Sequence, residues 1–385
     1  MAEHRPIPVG VLYSKTGFTS QIESSQRLAT LFAIEEINQA GGINGREVVP
    51  IIYDPQSDAA TYRSLAERLV SSDGVKVIFG CYMSSTRKAV IPVVERRNCL
   101  LFYATLYEGF EFSNNLIYTG AAPNQNSVQL ADFMMSHFGA RVYAVGSDYI
   151  YPYESNRIMT DLVMQRQGGE ILGQAYVPLN ATEKDFQPIV ADIKAKRPDF
   201  IFSTVVGNAT QYLYRAYAEA GLDPKCQPIG SLTTSEVEVA QMGAKIAAGH
   251  FTSAPYFQSI DTLANRTCLA RFHQRFGGEI VPNSCWEAAY FQVHLFANAM
   301  RQSGSDDIDA LMPHLLGAEF DAPQGRVRIE PANHHTCLYP RIGRANLNGQ
   351  FTIVRESARS VVPDPYLVNH ATGDWTTLHD SLEAQ

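Results

Sequence analysis

The sequence predicts an α/β protein made of two lobes, each a doubly wound parallel sheet. Three observations predict this fold class. Short apolar runs alternate regularly with amphipathic helical patterns, the alternation occurs twice along the chain, and the predicted strands end in loops rich in hydroxyl groups and tyrosine. Because strands that alternate with helices pair in parallel through right-handed crossovers, each series predicts its own sheet.

The first series lies within residues 1–120. A strand at residues 9–13 precedes a long helix at residues 21–40, where Ser20 and Glu23 have capping-box spacing and Gly41-Gly42 ends the pattern. The other elements predicted in this series are strands at residues 48–53, 77–79 and 100–103 and helices at residues 59–72 and 86–95.

A second series begins near residue 120 and has the same alternation. Its predicted helices are at residues 124–137, 154–167, 185–195 and 207–220, and its predicted strands at residues 142–146, 171–177, 200–205 and 229–232. Because strands and helices alternate throughout this series as well, we expect a second α/β lobe.

The tail of the chain does not continue the alternation. It predicts long helices at residues 263–276, 284–302 and 307–316, and then a short antiparallel meander at residues 327–329, 338–342 and 350–354. We expect the helices to complete one lobe and the meander the other, with a hinge of several chain segments. The N-terminal lobe then comprises residues 1–120 and 254–320, and the C-terminal lobe residues 121–253 and 321–385.

Composition excludes several classes of protein. The 385 residues are 45% hydrophobic and 18% charged, which predicts a well-packed chain rather than a disordered one. The net charge of 31 − 39 = −8 argues against a surface that binds nucleic acid directly. No apolar run reaches the roughly 20 residues of a membrane helix, and no apolar signal segment opens the sequence, so we expect a cytoplasmic protein.

Cysteine and histidine spacing predicts no metal site. The six cysteines form no C-x-x-C pair, and we expect free buried thiols. His334 and His335 follow Asn333 in a polar stretch, which favours a surface loop.

The stretch at residues 80–90 is the best candidate for a binding site. After a strand ends at Gly80, Ser84 stands where the next helix begins, so free backbone N–H groups and the helix dipole are available for an anion or a carbonyl oxygen. Thr105 follows the next strand at the same edge of the predicted sheet. The alternative is that Ser84 only caps its helix and that Thr105 is only a loop hydroxyl.

Aromatic residues also gather in or beside the loops at the strand ends. Each one alone is more often a packing residue, but together they would line a small cleft with phenol groups that donate or accept hydrogen bonds. They are Tyr82, Tyr103, Tyr107, Tyr149, Tyr151 and Tyr256.

Nucleotide-binding and catalytic motifs are absent from the sequence. There is no G-x-G-x-x-G after the first strand, no P-loop and no G-x-S-x-G. Cys81 lies beside a helix N-terminus, where the pKa of a thiol would fall, but no base or orienting group accompanies it in the pattern. We therefore expect no catalytic residue, no cofactor and no metal.

At this point the sequence resembles a known family. Residues 80–84, 101–112, 119–126, 146–155 and 231–236 resemble the type I periplasmic-binding-protein-like receptors, most closely the AmiC-type amide sensors of bacterial amidase operons and next the urea-binding receptors of ABC transporters. The resemblance extends to about Thr377 and includes the tail segments 321–325 and 339–342.

The resemblance implies two lobes joined by a hinge of three crossovers, with the ligand buried between them. It implies that Ser84 and Thr105 bind the carbonyl end of the ligand, and that Tyr149 and the Thr233 loop close over it. The full set of expected ligand-binding residues is Ser84, Thr105, Tyr149, Tyr82, Tyr103, Tyr151, Thr233 and Leu106. The chain departs from the amide-sensor pattern at Ala104 and Leu106, where prolines are expected, and at Ser85, where a histidine is expected.

Three functions follow as hypotheses. The first is a cytoplasmic receptor that binds a small aliphatic amide and controls an antitermination regulator of amidase-type gene expression. The second is a substrate-binding receptor of an ABC transporter for urea, a short-chain amide or a branched-chain amino acid, whose ammonium group would need a carboxylate such as Asp148, Glu154 or Glu236. The third is an amidase. We expect a homo-oligomer with a separate RNA-binding partner, and no direct contact with nucleic acid or membrane.

Overall fold

The structure is a computed structural model that describes residues 5–368 and the backbone of residues 375–377. Its strands are, in chain order, β1 (Ile7–Leu12), β2 (Val48–Tyr53), β3 (Val77–Gly80), β4 (Leu100–Tyr103), β5 (Leu116–Tyr118), β6 (Arg141–Ser147), β7 (Glu170–Val177), β8 (Phe200–Thr204), β9 (Ile229–Ser231), β10 (Phe251–Ala254), β11 (Glu319–Ala322), β12 (Gly325–Ile329), β13 (Thr336–Cys337), β14 (Arg341–Ala345), β15 (Phe351–Ser357) and β16 (Trp375–Thr377).

Its helices alternate with the strands over most of the chain. They are α1 (Ser20–Gln39), α2 (Ala59–Ser71), α3 (Ser84–Arg97), α4 (Ser127–His137), α5 (Ile150–Met164), α6 (Glu183–Lys196), α7 (Ala209–Glu219), α8 (Glu236–Met242), α9 (Ala244–Ala247), α10 (Leu263–Phe276), α11 (Ser284–Ser303) and α12 (Ile308–Leu315), and a 3-10 turn lies at Pro123–Gln125. None of the described helices is long and apolar enough to cross a membrane.

The chain divides into two compact units. Unit 1 takes residues 1–121, 262–280 and 284–338, and unit 2 takes residues 122–261, 281–283 and 339–385. Each unit has its own sheet, which is wholly parallel in unit 1 and parallel over five of its strands in unit 2, and this confirms the predicted α/β fold class.

Unit 1 contains a five-stranded sheet in the order β2-β1-β3-β4-β5, with every pair parallel. Helices cover both faces. On one face Phe296 of α11 packs edge-on against Phe79 and Phe102, and α1 packs along α11. On the other face the apolar side of α2 and α3 meets the sheet, for example through Leu69 and Val90. The continuous apolar runs of β3 and β4 are what a strand covered on both faces requires.

A small antiparallel sheet, β11-β12-β13, also belongs to unit 1. It is tied to the edge of the main sheet, where Tyr118 of β5 forms a parallel bridge with His335. The sequence analysis assigned residues 321–338 to the C-terminal lobe, and this contact explains why the structure places them with unit 1. The predicted meander is accordingly divided, because β14 and β15 pair in unit 2 instead.

Unit 2 contains an eight-stranded mixed sheet in the order β16-β15-β14-β10-β9-β8-β6-β7. The strands from β10 to β7 are parallel, and β14, β15 and β16 extend the sheet as antiparallel strands. One face packs against α6 and α7, where Phe186 and Leu213 are buried, and Phe133 of α4 packs against Phe251 on β10. The sequence analysis missed β5 and β10, which are short and, in β10, half made of Thr and Ser.

Candidate functional site

Ser84 lies at the first position of α3, as the sequence predicted. Strand β3 ends at Gly80, and Cys81 then adopts a left-handed φ of 69°, which turns the chain towards the helix. The residue before the helix, Met83, supplies no side-chain cap, so the backbone N–H groups of Ser84 and Ser85 open the helix without a hydrogen bond to another described segment. The Ser84 side chain is 2% exposed.

An ion cluster surrounds the Ser84 hydroxyl, and we define it as Arg87, Lys88, Glu108 and Glu111, of which Lys88 alone is exposed. Arg87 donates to Glu108 Oε1 at 3.0 Å and to Glu111 Oε1 at 2.7 Å, and Lys88 pairs with Glu111 at 2.8 Å. Ser84 Oγ donates to Glu108 Oε2 at 2.5 Å and accepts from Arg87 at 3.2 Å. The side chain of Arg87 is completely buried, so these partners must compensate its lost hydration.

Charge pairing shifts the pKa values within this cluster. Burial by itself would lower the pKa of Arg87, but Glu108, Tyr103 and Glu111 raise it well above its usual value. Burial would likewise raise the pKa of Glu111, yet Arg87 and then Lys88 lower it to about 2. Arg87 and Glu111 therefore keep their charges across the neutral pH range.

Aromatic rings enclose the Arg87 guanidinium. Its central carbon lies 4.7 Å from the ring centre of Tyr103 and 4.8 Å from that of Tyr107, which is cation–π geometry. Tyr103, predicted as a ligand contact, has a fully buried side chain whose hydroxyl donates to the Tyr82 carbonyl at 2.6 Å. Tyr82 is buried as well, and Leu106 is half-buried. Tyr103 thus helps to hold Arg87 in the core of unit 1.

The histidine pair is buried, and its predicted surface location is wrong. His335 stacks on Tyr118 with a ring distance of 4.1 Å, and Phe112 packs against His334. Burial lowers the pKa of His335 to about 3, so its ring is neutral. Its Nδ1 donates to the Asn333 carbonyl at 2.6 Å, and Nε2 therefore accepts from the Tyr107 hydroxyl at 2.5 Å. The aromatic neighbours come from residues more than 200 positions away, which the local polar pattern could not indicate.

Thr105 lies just beyond β4, at the same edge of the sheet as Ser84, and is 4% exposed. Gln26 of α1 donates through Nε2 to both the Ala104 carbonyl and Thr105 Oγ1, each at 3.1 Å. The Thr105 backbone also lies against Gly120, where a Cβ atom would come within 2.1 Å of the Thr105 carbonyl. Helix α1 and Gly120 therefore fix the position of Thr105 from two sides.

Unit 2 has a hydroxyl cluster at the end of β9, which we define as Ser231, Thr233, Thr234 and Tyr214. Thr233, a predicted ligand contact, donates to the Val205 carbonyl at 2.7 Å. Thr234 donates to Ser231 Oγ at 2.9 Å and lies 2.9 Å from the Tyr214 hydroxyl. All four residues are buried and uncharged.

Glu236 begins α8 next to this hydroxyl cluster and is 1% exposed. Its Oε1 accepts from the Gln258 backbone N–H at 2.7 Å. Burial raises the pKa of Glu236 to about 7, although the backbone hydrogen bonds oppose the shift. The other two carboxylates that the sequence left open for an ammonium group lie nearer the surface, since Asp148 is exposed and bonds Tyr153, while Glu154 pairs with Arg157.

The remaining predicted site residues of unit 2 lie at the start of α5. Tyr149 precedes the helix and is half-buried, and Tyr151 is buried in its first turn, with ring centres 6.2 Å apart. The helix begins at Ile150 rather than at the predicted residue 154, which places Tyr151 inside it. The predicted site thus divides into Ser84, Thr105, Tyr82, Tyr103 and Leu106 in unit 1 and Tyr149, Tyr151 and Thr233 in unit 2.

Cys81 is not a reactive thiol in this structure. Burial raises its pKa, and the nearby Glu23 raises it further, so the expected fall at a helix N-terminus is wrong. Of the six cysteines, Cys226 is exposed and the other five are buried, so burial of the thiols is confirmed except at Cys226. No group of His, Cys, Asp and Glu that could hold a metal ion occurs among the described residues.

The sequence profile described as "Periplasmic binding protein domain" matches residues 7–372. The chain belongs to this periplasmic binding protein family. The leucine-, isoleucine-, valine-, threonine- and alanine-binding protein of Pseudomonas aeruginosa is 25% identical over 322 residues, which are 82% of this chain and 83% of that protein. These matches show the family but do not distinguish an AmiC-type amide sensor within it.

Two further comparisons show less, because one supports only the fold and the other covers only a short part of the relative. A solute binding protein of an ABC transporter from Rhodopseudomonas palustris HaA2, solved with p-hydroxybenzoic acid, superimposes with a TM-score of 0.83 at 22% identity, covering 94% of this chain and 99% of that one, and this shows the periplasmic binding protein fold. A protein named limonene hydroxylase of Geobacillus stearothermophilus is 35% identical over 128 residues, and this chain spans only 23% of its length.

Sequence reasoning missed three residues that control the site in unit 1, namely Gln26, Arg87 and Glu108. Arg87 stands on the predicted helix only three residues after Ser84, which is one turn, so the helical spacing could have placed it beside the hydroxyl. Gln26 and Glu108 contact the site across 79 and 24 residues, and no local pattern marks such pairs.

Proposed function

We propose that the chain is the ligand-binding receptor of an ABC-type transport system for a small organic solute. Buried hydroxyls at the carboxyl ends of parallel strands carry this proposal: Ser84 and Thr105 in unit 1, and Thr233 in unit 2. Ligands of open α/β sheets bind at this end of the strands. The periplasmic binding protein match over residues 7–372 and the amino-acid-binding relative support the same function.

Glu236 distinguishes the two classes of solute that this receptor would bind. A branched-chain amino acid presents an ammonium group, and a buried carboxylate beside the hydroxyl cluster would pair with it. An ammonium ligand would also lower the pKa of Glu236 from about 7, so that binding at pH 7 releases part of a proton. Urea or a short-chain amide carries no charge and would leave that proton in place.

The test is isothermal titration calorimetry with leucine, acetamide, urea and 4-hydroxybenzoate at pH 7. For an amino-acid receptor we expect leucine to bind, the apparent enthalpy to change with the ionisation enthalpy of the buffer, and Glu236→Gln to abolish binding. For an amide receptor we expect acetamide or urea to bind, without proton release and with little effect of Glu236→Gln. Failure of all four probes and of the remaining short amides and branched-chain amino acids would contradict the receptor function.

The second candidate is a cytoplasmic, AmiC-type amide sensor that controls an antitermination regulator. The observation that favours it is the raised pKa of Glu236, because a carboxyl that is half protonated at pH 7 suits a neutral ligand better than an unpaired carboxylate would. We propose that such a sensor is a homo-oligomer that holds a separate RNA-binding protein. Linkage then requires the amide and the partner to change each other's affinity by the same factor.

Co-purification with a candidate RNA-binding antitermination regulator tests the second candidate. We expect a complex that acetamide weakens. If no complex forms, or if its affinity is independent of every amide that the chain binds, the transport receptor remains and the sensor is wrong.

A further inference from the structure

The neighbours of Ser84 determine which way its hydroxyl can bond. A carboxylate only accepts hydrogen bonds and a guanidinium only donates them. Because Ser84 Oγ lies 2.5 Å from Glu108 Oε2, the Ser84 hydroxyl donates its hydrogen to Glu108. One lone pair of Ser84 Oγ accepts a hydrogen bond from Arg87 at 3.2 Å. The hydroxyl has one lone pair left and can only accept from a ligand.

Thr105 has the opposite polarity. The Ala104 carbonyl can only accept, so the Gln26 side chain must point its NH₂ group at both Ala104 and Thr105. Thr105 Oγ1 therefore accepts from Gln26, and none of the described residues accepts the Thr105 hydrogen. The Thr105 hydroxyl is left as a donor.

The two hydroxyls stand on neighbouring strands. Ser84 follows β3 and Thr105 follows β4, and these strands pair in parallel at Phe79 and Phe102. Paired strands lie about 4.8 Å apart. One edge of the unit 1 sheet thus presents an acceptor and a donor side by side, with the free N–H groups of Ser84 and Ser85 as further donors.

We propose that Glu108 and Gln26 are specificity-determining residues that orient Ser84 as an acceptor and Thr105 as a donor. This pattern matches a carbamoyl group, whose oxygen accepts and whose nitrogen donates, and it opposes a carboxylate, whose two oxygens only accept. The inference rests on the proposed receptor function and specifies which ligand end unit 1 selects. Glu108 and Gln26 act through the two hydroxyls and need not touch the ligand.

Glu108→Gln is the variant that tests the orientation of Ser84. With the Gln oxygen kept on Arg87, its NH₂ group faces Ser84 and donates to it, which frees the Ser84 hydrogen for the ligand. Acetamide then loses a hydrogen bond and acetate gains one. Since each such bond changes affinity by about two- to tenfold, the ratio of the acetate to the acetamide dissociation constant should fall by about tenfold.

Glu111→Gln is the matched control. It removes the same charge from the same guanidinium, but Glu111 makes no hydrogen bond to Ser84. We expect Glu111→Gln to keep the wild-type ratio within about twofold, even where it lowers the melting temperature. Equal changes in the two variants would overturn the inference, because the effect would then come from charge and not from hydrogen-bond direction.

Ser84→Ala covers the case in which the charge variants do not fold. It keeps the ion cluster and removes the hydroxyl, so the ratio should fall by about two- to tenfold. If the wild-type protein binds leucine but neither small probe, the matched pair becomes leucine and leucinamide.

The outcomes separate the inference from the function on which it rests. A wild-type protein that binds the carboxylate as tightly as its amide would overturn the inference and leave the receptor intact. A wild-type protein that binds no member of any pair, and none of the other probes named for the receptor, would overturn the receptor function itself.

Discussion

In unit 1 the Arg87 guanidinium lies between two carboxylates, whereas in unit 2 the carboxyl groups of Glu236 and Glu238 are equally buried without an ion pair to any described cation. Both sites lie at the carboxyl edge of a parallel sheet. Unit 1 compensates burial by pairing charges, and the pKa of Glu111 falls. Unit 2 compensates burial by favouring the neutral acid, and the pKa values of Glu236 and Glu238 rise. The carboxyl edge of a parallel sheet therefore tolerates buried carboxyl groups either as ion pairs with a lowered pKa or as neutral acids with a raised pKa.

The largest expected effect comes from breaking the buried ion pairs of Arg87 in unit 1. Arg87→Met leaves Glu108 buried without its cation and Glu111 with Lys88 alone, and breaking a buried ion pair in this way typically costs about 3–5 kcal/mol. Urea unfolding measures the change in the free energy of unfolding. As a control, Arg157→Met breaks an exposed pair with Glu154 and Asp161 and should cost less than about 1 kcal/mol. Similar losses in the two variants would show that the buried pairing is not what stabilises unit 1.

The second prediction concerns the buried Glu236 carboxyl group of unit 2, which has no ion pair with any residue that the structure describes. Because the pKa of Glu236 is raised from 4.5 to about 7 on folding, its contribution to stability is complete below pH 4.5 and is lost as the pH rises through 7. Glu236→Gln stays neutral and can still accept from Gln258. It should match the wild type at pH 4 and exceed it at pH 8 by on the order of 3 kcal/mol.

Unfolding experiments across pH 4–8 measure this difference. Burial also raises the pKa of Glu23 in unit 1, so the free energy of unfolding of the wild type falls with rising pH for more than one reason. The contribution of Glu236 is therefore the difference between Glu236→Gln and the wild type at each pH. The surface variant Glu154→Gln should run parallel to the wild type. A Glu236→Gln curve that does the same would contradict the neutral-acid explanation.

The smallest expected effect tests the close approach of Gly120 to the Thr105 backbone in unit 1. Gly120→Ala places a Cβ atom 2.1 Å from the Thr105 carbonyl, so the backbone must shift, at a typical cost of about 1–3 kcal/mol. The ligand affinity should also fall, because Thr105 moves. Gly278→Ala is the control, since no heavy atom lies within 4 Å of its Cβ position. A Gly120→Ala protein with wild-type stability and affinity would show that Thr105 can be displaced freely.

The sequence predicted the elements well where the chain alternates regularly. Strand β3, the start of α3 near Ser84 and the placement of Thr105 after β4 all followed from local apolar patterns and turns. The short strand β5 did not, because three residues carry too little pattern. Residues 321–338 were assigned to the C-terminal lobe but group with unit 1, because their sheet contacts unit 1 through long-range pairs such as the Tyr118–His335 bridge and the stacking of Phe320 on His294.

The positions of Ser84 and Thr105 in the fold were predictable from the sequence, but the direction of their hydroxyl hydrogen bonds was not. Residue type and spacing located Ser84 and Thr105, yet the direction of each hydroxyl depends on Glu108 and Gln26, which come from other segments. The sequence analysis treated Ser84 as a donor to a carbonyl for this reason. Tyr103 shows the same limit, because an aromatic residue at a strand end fits a ligand site and a buried packing position equally well until its partners are known.

The packing of α11 on the sheet of unit 1 has a consequence for the order of folding. All five strands of that sheet lie within residues 7–118, but the ring that covers Phe79 and Phe102 belongs to Phe296. During synthesis the first 121 residues therefore emerge with the β3 and β4 part of one apolar face of their sheet uncovered, and it stays so until the whole 122–261 segment of unit 2 has followed. Contacts over such sequence separations slow folding and prolong the exposure of apolar surface. We therefore expect unit 2 to acquire its parallel strands before unit 1 is complete, so that the N-terminal unit of this chain is the last to become stable.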